Sequence, residues 1–396
     1  TVAICLSRSI VQTADIRIDG PWTAIGTAAG IGNGPFIGTY DGQGHSITFN
    51  TGNAVKGIFL RTSGATIKNL QIDAIGGSSL DTSSGWLIKG SSPNTTVDNV
   101  SSSGDISLES GGIIGGGDLT GTTIRNSSSS GSIDAQGGGI VGAVASKVTV
   151  IGSHSSGSIG AMGAGGIVGS EASRVTVIGS YSTGTIYNSS GGIVGAFAGL
   201  STVTNSFSTG VVVNSAGGGI LGSNAGPSTV TDSFATGAGC GGGLIGVASS
   251  SVTVERSYSM GSTGCAGQGG LFGGYATNPI VTDSFAYGNI DQGGGGILGR
   301  TTSGQSGVVS NSYSTGNQLF NLAGGIYGQM PVDNLFSNGT ESVIITNTYS
   351  TGTIGFSGGG IGGFEARGTM SNSYSTGSIG GGTAGESKRR RRQPRS

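Results

Sequence analysis

The sequence predicts an all-β chain: a single-stranded, right-handed parallel β-helix (β-solenoid) of about 12–13 coils behind an N-terminal cap. Three observations predict it. A unit seen most cleanly from Gly165 to Ile186, GGIVGSEASRVTVIGSYSTGTI, returns along the chain with its closing glycine at Gly104, Gly131, Gly157, Gly184 and onward to Gly377, mostly in steps of 26 or 27 residues. Aligned units give vertical columns, one running through Ile113, Ile140, Ile167 and Ile193 to Ile361, another through Val97, Ile124, Val150 and Val177 to Met370. With 34% hydrophobic residues, 9% charged residues and 85 glycines in 396, the chain cannot fill a round core. It can line a thin continuous one, and the glycine load excludes a helical solenoid.

Residues 1–50 lack the repeat and read as an N-terminal cap and entry coil, with Ile16, Ile18 and Trp22 facing inward and Asp41 to Gly44 turning the chain. An atypical end is what a solenoid needs to cover its first coil. The span 51–382 reads as the β-helix, with coils of 24–36 residues. Early coils from Lys56 and Ser84 keep the apolar pair and the β-branched run without the triple glycines, and the pattern locks from Gly111. Equivalent residues of adjacent coils would stack about 4.8 Å apart, giving a rod roughly 60 Å long. The glycines are expected to permit bends and positive φ at the corners. Residues 383–396 read as a basic tail with no place in the core.

Trp22 to Gly26 (W-x-x-I-G) and Pro35 to Ile47 (P-F-x-G-x-Y-D-G-x-G-H-x-I), followed by the GGIVG and NSYSTG units from Gly111 to Ile379, resemble right-handed β-helix proteins bearing GLUG repeats. The resemblance covers nearly the whole body and is specific for fold. It implies large surface proteins, among them adhesin-like chains and regions attached to IgA-peptidase-like enzymes. The H-E-x-x-H zinc motif of those enzymes is absent from this sequence, so nothing enzymatic carries over with the repeats.

A third column is aromatic, from His154 through Tyr181, Phe207, Phe234, Tyr258, Phe285, Tyr313 and Tyr349 to Tyr374. It reads as a sugar-stacking stripe or as a structural ladder, and free exchange of Phe with Tyr favours the ladder. Two residues earlier runs a polar column containing Asn99, Asn126, Asn205, Asp232, Arg256, Asp283, Asn311, Asn347 and Asn372, expected at left-handed corners. Arg256 reads as a charge-matched rung between Asp232 and Asp283. A hydroxyl column through Ser130, Thr183 and Thr209 is interrupted by Met260 and Tyr287, so it does not make an ice-binding array.

The repeat breaks in informative places. The shortest step, Gly237 to Gly261, puts Cys240 and Cys265 at nearly equivalent positions, and a disulfide between them is expected, against the alternative of two buried thiols. Cys5 is left over. The longest step, Gly316 to Gly352, carries an excess QMPVDNLFSNGTES read as an external loop. Of five Asn-X-Ser/Thr sequons, Asn94, Asn188 and Asn338 are the glycosylation candidates, because Asn99 and Asn126 belong to the polar column. The run Arg389, Arg390, Arg391 and Arg392 reads as a basic processing site, as a tether to an anionic partner, or as a remnant of a longer chain, with processing preferred. The start at Thr1 without Met gives the expectation of a processed product.

Without the segment from Glu386 to Ser396 the body carries 12 basic and 18 acidic residues, no footprint for nucleic acid, and no run of about 18 apolar residues that could span a membrane. The acids look scattered, with Asp105, Glu109, Asp118 and Asp134 the densest group, assigned to different coils or corners and to surface solvation in preference to weak cation binding. Only His45 and His154 exist, each with a structural place, so triad catalysis and histidine metal sites are not expected. The expectation is therefore a secreted or surface-displayed, non-enzymatic structural or adhesive β-helix without cofactor or metal. It would assemble as a fibre subunit through end-to-end self-association, or meet a glycan or cell-surface ligand. The alternative is a carbohydrate-active or carbohydrate-binding β-helix, lyase- or hydrolase-like, whose acids converge across a groove.

Overall fold

The computed structural model describes residues 6–26, 34–300, 306–318, 321–329, 343–363, 366 and 368–380. They form a parallel β-solenoid of about 12 turns with no helix among them. Every strand pair is parallel, and twenty-six strands join in one hydrogen-bonded sheet. Each coil contributes a longer and a shorter strand, so two ladders run the length of the rod. The first passes through Ile10, Tyr40, Ile67, Val97, Ile124, Val150, Val177 and Val203 and ends at Met370. The second passes through Ser46, Gln71, Ser101, Ser128, His154 and Tyr181 and ends at Tyr374. A third line of single bridges links Phe59, Ile88, Ile114, Val141 and Val168 onward to Tyr327.

The interior is an aliphatic stack. Ile113, Ile140, Ile167 and Ile193 are fully buried, as are Val97, Ile124, Val150 and Val177, and only at the last coil does the second column emerge, with Met370 52% exposed. Each such side chain contributes roughly 1.5–3 kcal/mol on leaving water, which lets so few apolar residues hold a long rod. The early coils carry larger groups, with Phe36, Phe49, Phe59 and Trp86 buried together. The first rung is built by Ser9–Val11 and Ile16–Ile18. Ile18 and Trp22 pack against the core and the Trp22 indole donates to Gly57 O at 3.0 Å. Ile16, expected inward, is instead 42% exposed and edges an apolar hollow of about 420 Å³ beside that rung.

The corners divide labour differently from the expectation. The positive φ values at the polar column fall on Asn99, Asn126, Asn205, Asp232, Arg256 and their equivalents, between 46° and 54° for those named. Asn and Asp accept the left-handed region because a short polar side chain can bond locally. The triple glycines are needed for close approach instead: a Cβ on Gly166 would lie 2.0 Å from Gly192 O and 2.6 Å from the Ser182 Cβ. Beside them runs a feature that polar sequence conceals, a buried serine ladder. Ser127, Ser153, Ser180, Ser206, Ser233 and Ser257 are all at most 1% exposed. The N–H of each donates to the Oγ of the next at 3.1–3.2 Å, while each Oγ from Ser127 to Ser233 donates to a carbonyl two residues back. This satisfies backbone donors that would otherwise be stranded at the turn.

Cys240 and Cys265 are joined by a disulfide across neighbouring coils, their Cα atoms 4.8 Å apart. Cys5, Asn338 with most of its surrounding insertion, and the run Arg389 to Arg392 lie outside the described residues.

Candidate functional site: a gap in the aromatic ladder

From His154 to Tyr349 the second ladder carries rings stacked face to face, with centroids 4.8–5.0 Å apart and interplanar angles of 2–14°; the last pair, Tyr349 and Tyr374, is at 5.5 Å. Parallel register places these side chains one coil apart, close to the rise between strands, so the backbone repeat itself stacks them. Each interior ring is half-buried, with its faces covered by its neighbours and its edge outward. The sequence expectation of a structural ladder therefore describes this part well.

The ladder stops at His154. The next positions in the same register are Ser128 and Ser101, and before them Gln71. Two rings are in effect missing, and their place is a hollow of about 300 Å³ whose wall includes the imidazole of His154. His154 stacks on Tyr181 at 4.8 Å and 3°, and its opposite face looks over Ser128. The floor is hydroxyl: Ser101, Ser103, Ser128, Ser130 and Ser156. The far side is Asp73, held by Gln71 Nε2 at 2.8 Å and by the Ser103 hydroxyl at 2.8 Å.

Two residues on from Ser103 and from Ser130, the chain enters a second hollow, of about 380 Å³, containing Asp105, Ser132 and Asp134. Asp105 Oδ1 accepts from the Ser132 N–H at 3.0 Å, and Asp134 Oδ1 accepts from the Ala135 N–H at 2.7 Å. The bridge between Ile106 and Ile133 sets these acids on adjacent coils, two positions out of step. The other acids of the group seen in the sequence go elsewhere. Asp118 holds Thr120, which lowers its pKa through the Thr120 hydroxyl and N–H, and Glu109 accepts from the Ser83 hydroxyl. Adjacent coils lie side by side, so Asp105 and Asp134 share a hollow.

Around this region the surface is charged in register. Asp41, Lys68, Asp98 and Arg125 are successive neighbours on the first ladder, with Lys68 Nζ 3.2 Å from Asp41 and Arg125 Nη2 2.9 Å from Asp98. Asp41 is lowered to about 2, chiefly by the Asn69 amide and then by the Gln43 N–H and Lys68. Arg256 is bidentate to Asp232 at 2.7 and 2.9 Å, as expected, but its second carboxylate is Glu255 and not the expected Asp283. Asn94 and Asn188 are both exposed, while the Asn99 and Asn126 amides are engaged with Asn69 and Asp98. Among the described residues there is no group of three or more His, Cys, Asp or Glu arranged to hold a metal ion, and no helix long and apolar enough to cross a membrane.

No family model matches the chain, and no curated protein matches it. Among solved structures it resembles the catalytic domain of a GH87 α-1,3-glucanase in complex with nigerose, at 12% identity and a TM-score of 0.24. A variant of that domain, also in complex with nigerose, gives the same values. Each alignment covers 94% of this chain, which spans about 60% of the glucanase domain's length. These neighbours are catalytic domains, against the expectation of a non-enzymatic structural or adhesive protein, and that expectation is not carried further. The linear view of the acids hid the hollow that Asp105 and Asp134 share. At that score the likeness transfers no residue role and no substrate.

Proposed function

We propose that this chain is a carbohydrate-directed β-solenoid that holds a saccharide where its aromatic ladder is interrupted. The single observation that carries the reading is the His154 ring face, uncovered above the serine-floored hollow at Ser101 and Ser128. A sugar ring placed there continues the stack that the missing side chains leave off, its C–H face on the imidazole and its hydroxyls on Ser101, Ser128 and Asp73. Asp105 and Asp134, in the neighbouring hollow, are the candidates for general acid and base in glycosidic cleavage, a reaction that uses two carboxylates flanking one bond.

Two variants test this reading against a panel of neutral polysaccharides. Ser128→Tyr supplies the missing ring, and binding by the folded protein is expected to fall at least about tenfold. Asp105→Asn is expected to leave binding intact and to lower release of reducing ends by at least about a hundredfold. Binding unchanged in Ser128→Tyr overturns the stacking site, and unchanged release in Asp105→Asn overturns that residue's role.

The same proposal includes an extracellular or cell-surface setting, supported by the Cys240–Cys265 disulfide, since such bonds persist in oxidising compartments. It includes kinship with GLUG-repeat β-helices and the division into a cap over 1–50, a solenoid over 51–382 and a tail over 383–396. Glycans at Asn94 and Asn188 suit two exposed positions.

A further inference from the structure

A further cleft, far along the rod from the ladder gap, holds a cation with no acidic side chain in its lining among the described residues. It measures about 250 Å³ and is formed by Gly267, Gln268, Tyr275, Gln292, Arg300 and Gln329, drawn from three successive coils. The backbone builds it tightly: Arg300 N–H donates to Gly267 O at 2.7 Å, Gly267 N–H to Gln292 O at 2.7 Å, and Tyr275 N–H to Arg300 O at 2.5 Å. Gly267 is at φ +77°, and a Cβ there would sit 3.3 Å from the Arg300 Cβ, so the arginine stem lies against the bare glycine.

The guanidinium is the unusual part. Among the described residues Arg300 Nε is buried and has no hydrogen-bond partner, and no acidic side chain lines the cleft. Arg17, Arg125 and Arg256 meet carboxylates, and Arg8, Arg61 and Arg174 are exposed to water. A permanently charged group in a cleft with no described acid is open to an anion, and the outer nitrogens of a guanidinium match a carboxylate with two parallel hydrogen bonds. The rest of the cleft is suited to a polyol. Three carboxamides, of Gln268, Gln292 and Gln329, can donate to or accept from hydroxyls, and Tyr275 offers a 43% exposed ring. Gln268 Oε1 is already committed to the Gly274 N–H at 3.0 Å, which fixes that side chain in place.

We propose that this cleft binds the carboxylate of a uronic acid, with Arg300 as its ion-pairing residue. The carbohydrate-directed reading is used here only to choose a sugar as the carrier of the carboxylate. The probes are D-glucuronate, its neutral analogue D-glucuronamide, D-glucose and inorganic sulfate, titrated calorimetrically into the full chain at low salt. Glucuronate is expected to bind at least about tenfold more tightly than glucuronamide or glucose. Arg300→Gln is expected to erase that preference, and Ser128→Tyr to leave it untouched. Equal binding of glucuronate and glucuronamide, or undiminished glucuronate binding by Arg300→Gln, overturns the proposal. Displacement of glucuronate by equimolar sulfate overturns the carboxylate selectivity. The glucuronamide comparison needs no variant, so it decides the matter even where Arg300→Gln fails to fold. Neutral polysaccharide binding that is lost while glucuronate binding persists counts against the ladder-gap site alone, and the reverse result counts against this cleft alone.

Discussion

The two halves of the rod share one backbone and differ in what they show to solvent. In the first coils the outward position of the first ladder alternates in charge, Asp41, Lys68, Asp98, Arg125, and the matching position of the second ladder is small or polar, Ser46, Gln71, Ser101, Ser128. From His154 onward the alternating charges give way to Ile151, Ile178, Thr204 and Thr231, with Glu255 the next in register, and the small residues to rings. The parallel pairing continues across this boundary, with a register shift between Ser146 and Val148 where the two parts meet. A solenoid can thus pass from groove to wall by exchanging one side chain per coil, because the neighbour that each side chain meets is its own equivalent one coil away.

Making each half resemble the other tests this comparison. The largest effect is expected from Phe207→Ser, which opens in the wall a gap like that at Ser128. Phe207 has rings on both faces at 4.9 Å, and its loss should cost about 2–3 kcal/mol, read as a lower midpoint in urea unfolding. The converse change, Ser128→Tyr, should stabilise the fold by about 0.5–1.5 kcal/mol while it blocks the hollow, since it extends an existing stack without displacing packed atoms. A rise in melting temperature together with loss of saccharide binding would be hard to obtain by any route other than ladder completion.

The smallest effect concerns the charged column. Asp41 has a pKa lowered to about 2, so its native interactions stabilise the fold above the ordinary carboxylate range and fade as pH falls from about 4 through 2. Asp41→Asn should therefore flatten the acid limb of stability between those values and change little in melting temperature at higher pH, where the exposed pair with Lys68 is weak. An unaltered acid limb in the variant would assign that limb to other groups.

Much of the fold was legible because a parallel solenoid writes its contacts into vertical columns of sequence. Ile167 over Ile193, Val177 over Val203 and Tyr181 over Phe207 are neighbours in the repeat and neighbours in space, and Cys240 met Cys265 for the same reason. The candidate site was harder to see. Its principal feature is a ring that is not there, and Ser128 lies within the run Ser127 to Ser130, where one serine looks like another. The available signal was the start of the aromatic column at His154, which implied an uncovered face. The buried role of Ser153 and Ser180 was hidden because polarity usually signals solvent, whereas here the hydroxyl replaces water at a turn. The Arg300 cleft leaves no trace in the repeat, because Gln268, Gln292 and Gln329 recur at no fixed step and meet only when the coils are stacked.

The disulfide has a consequence beyond cross-linking. A rod whose rungs are nearly identical is close to translationally symmetric: slide one portion by a whole coil and valine still faces valine, ring still faces ring, and the serine ladder closes again. Local energetics alone discriminate poorly between the right neighbour and the next one along, and a growing solenoid could skip or repeat a turn with little penalty. Cys240 and Cys265 break that degeneracy, since only pairing of their own two coils brings the Cα atoms to 4.8 Å. The bond works as an index mark on an otherwise uniform scale, fixing which coil is which.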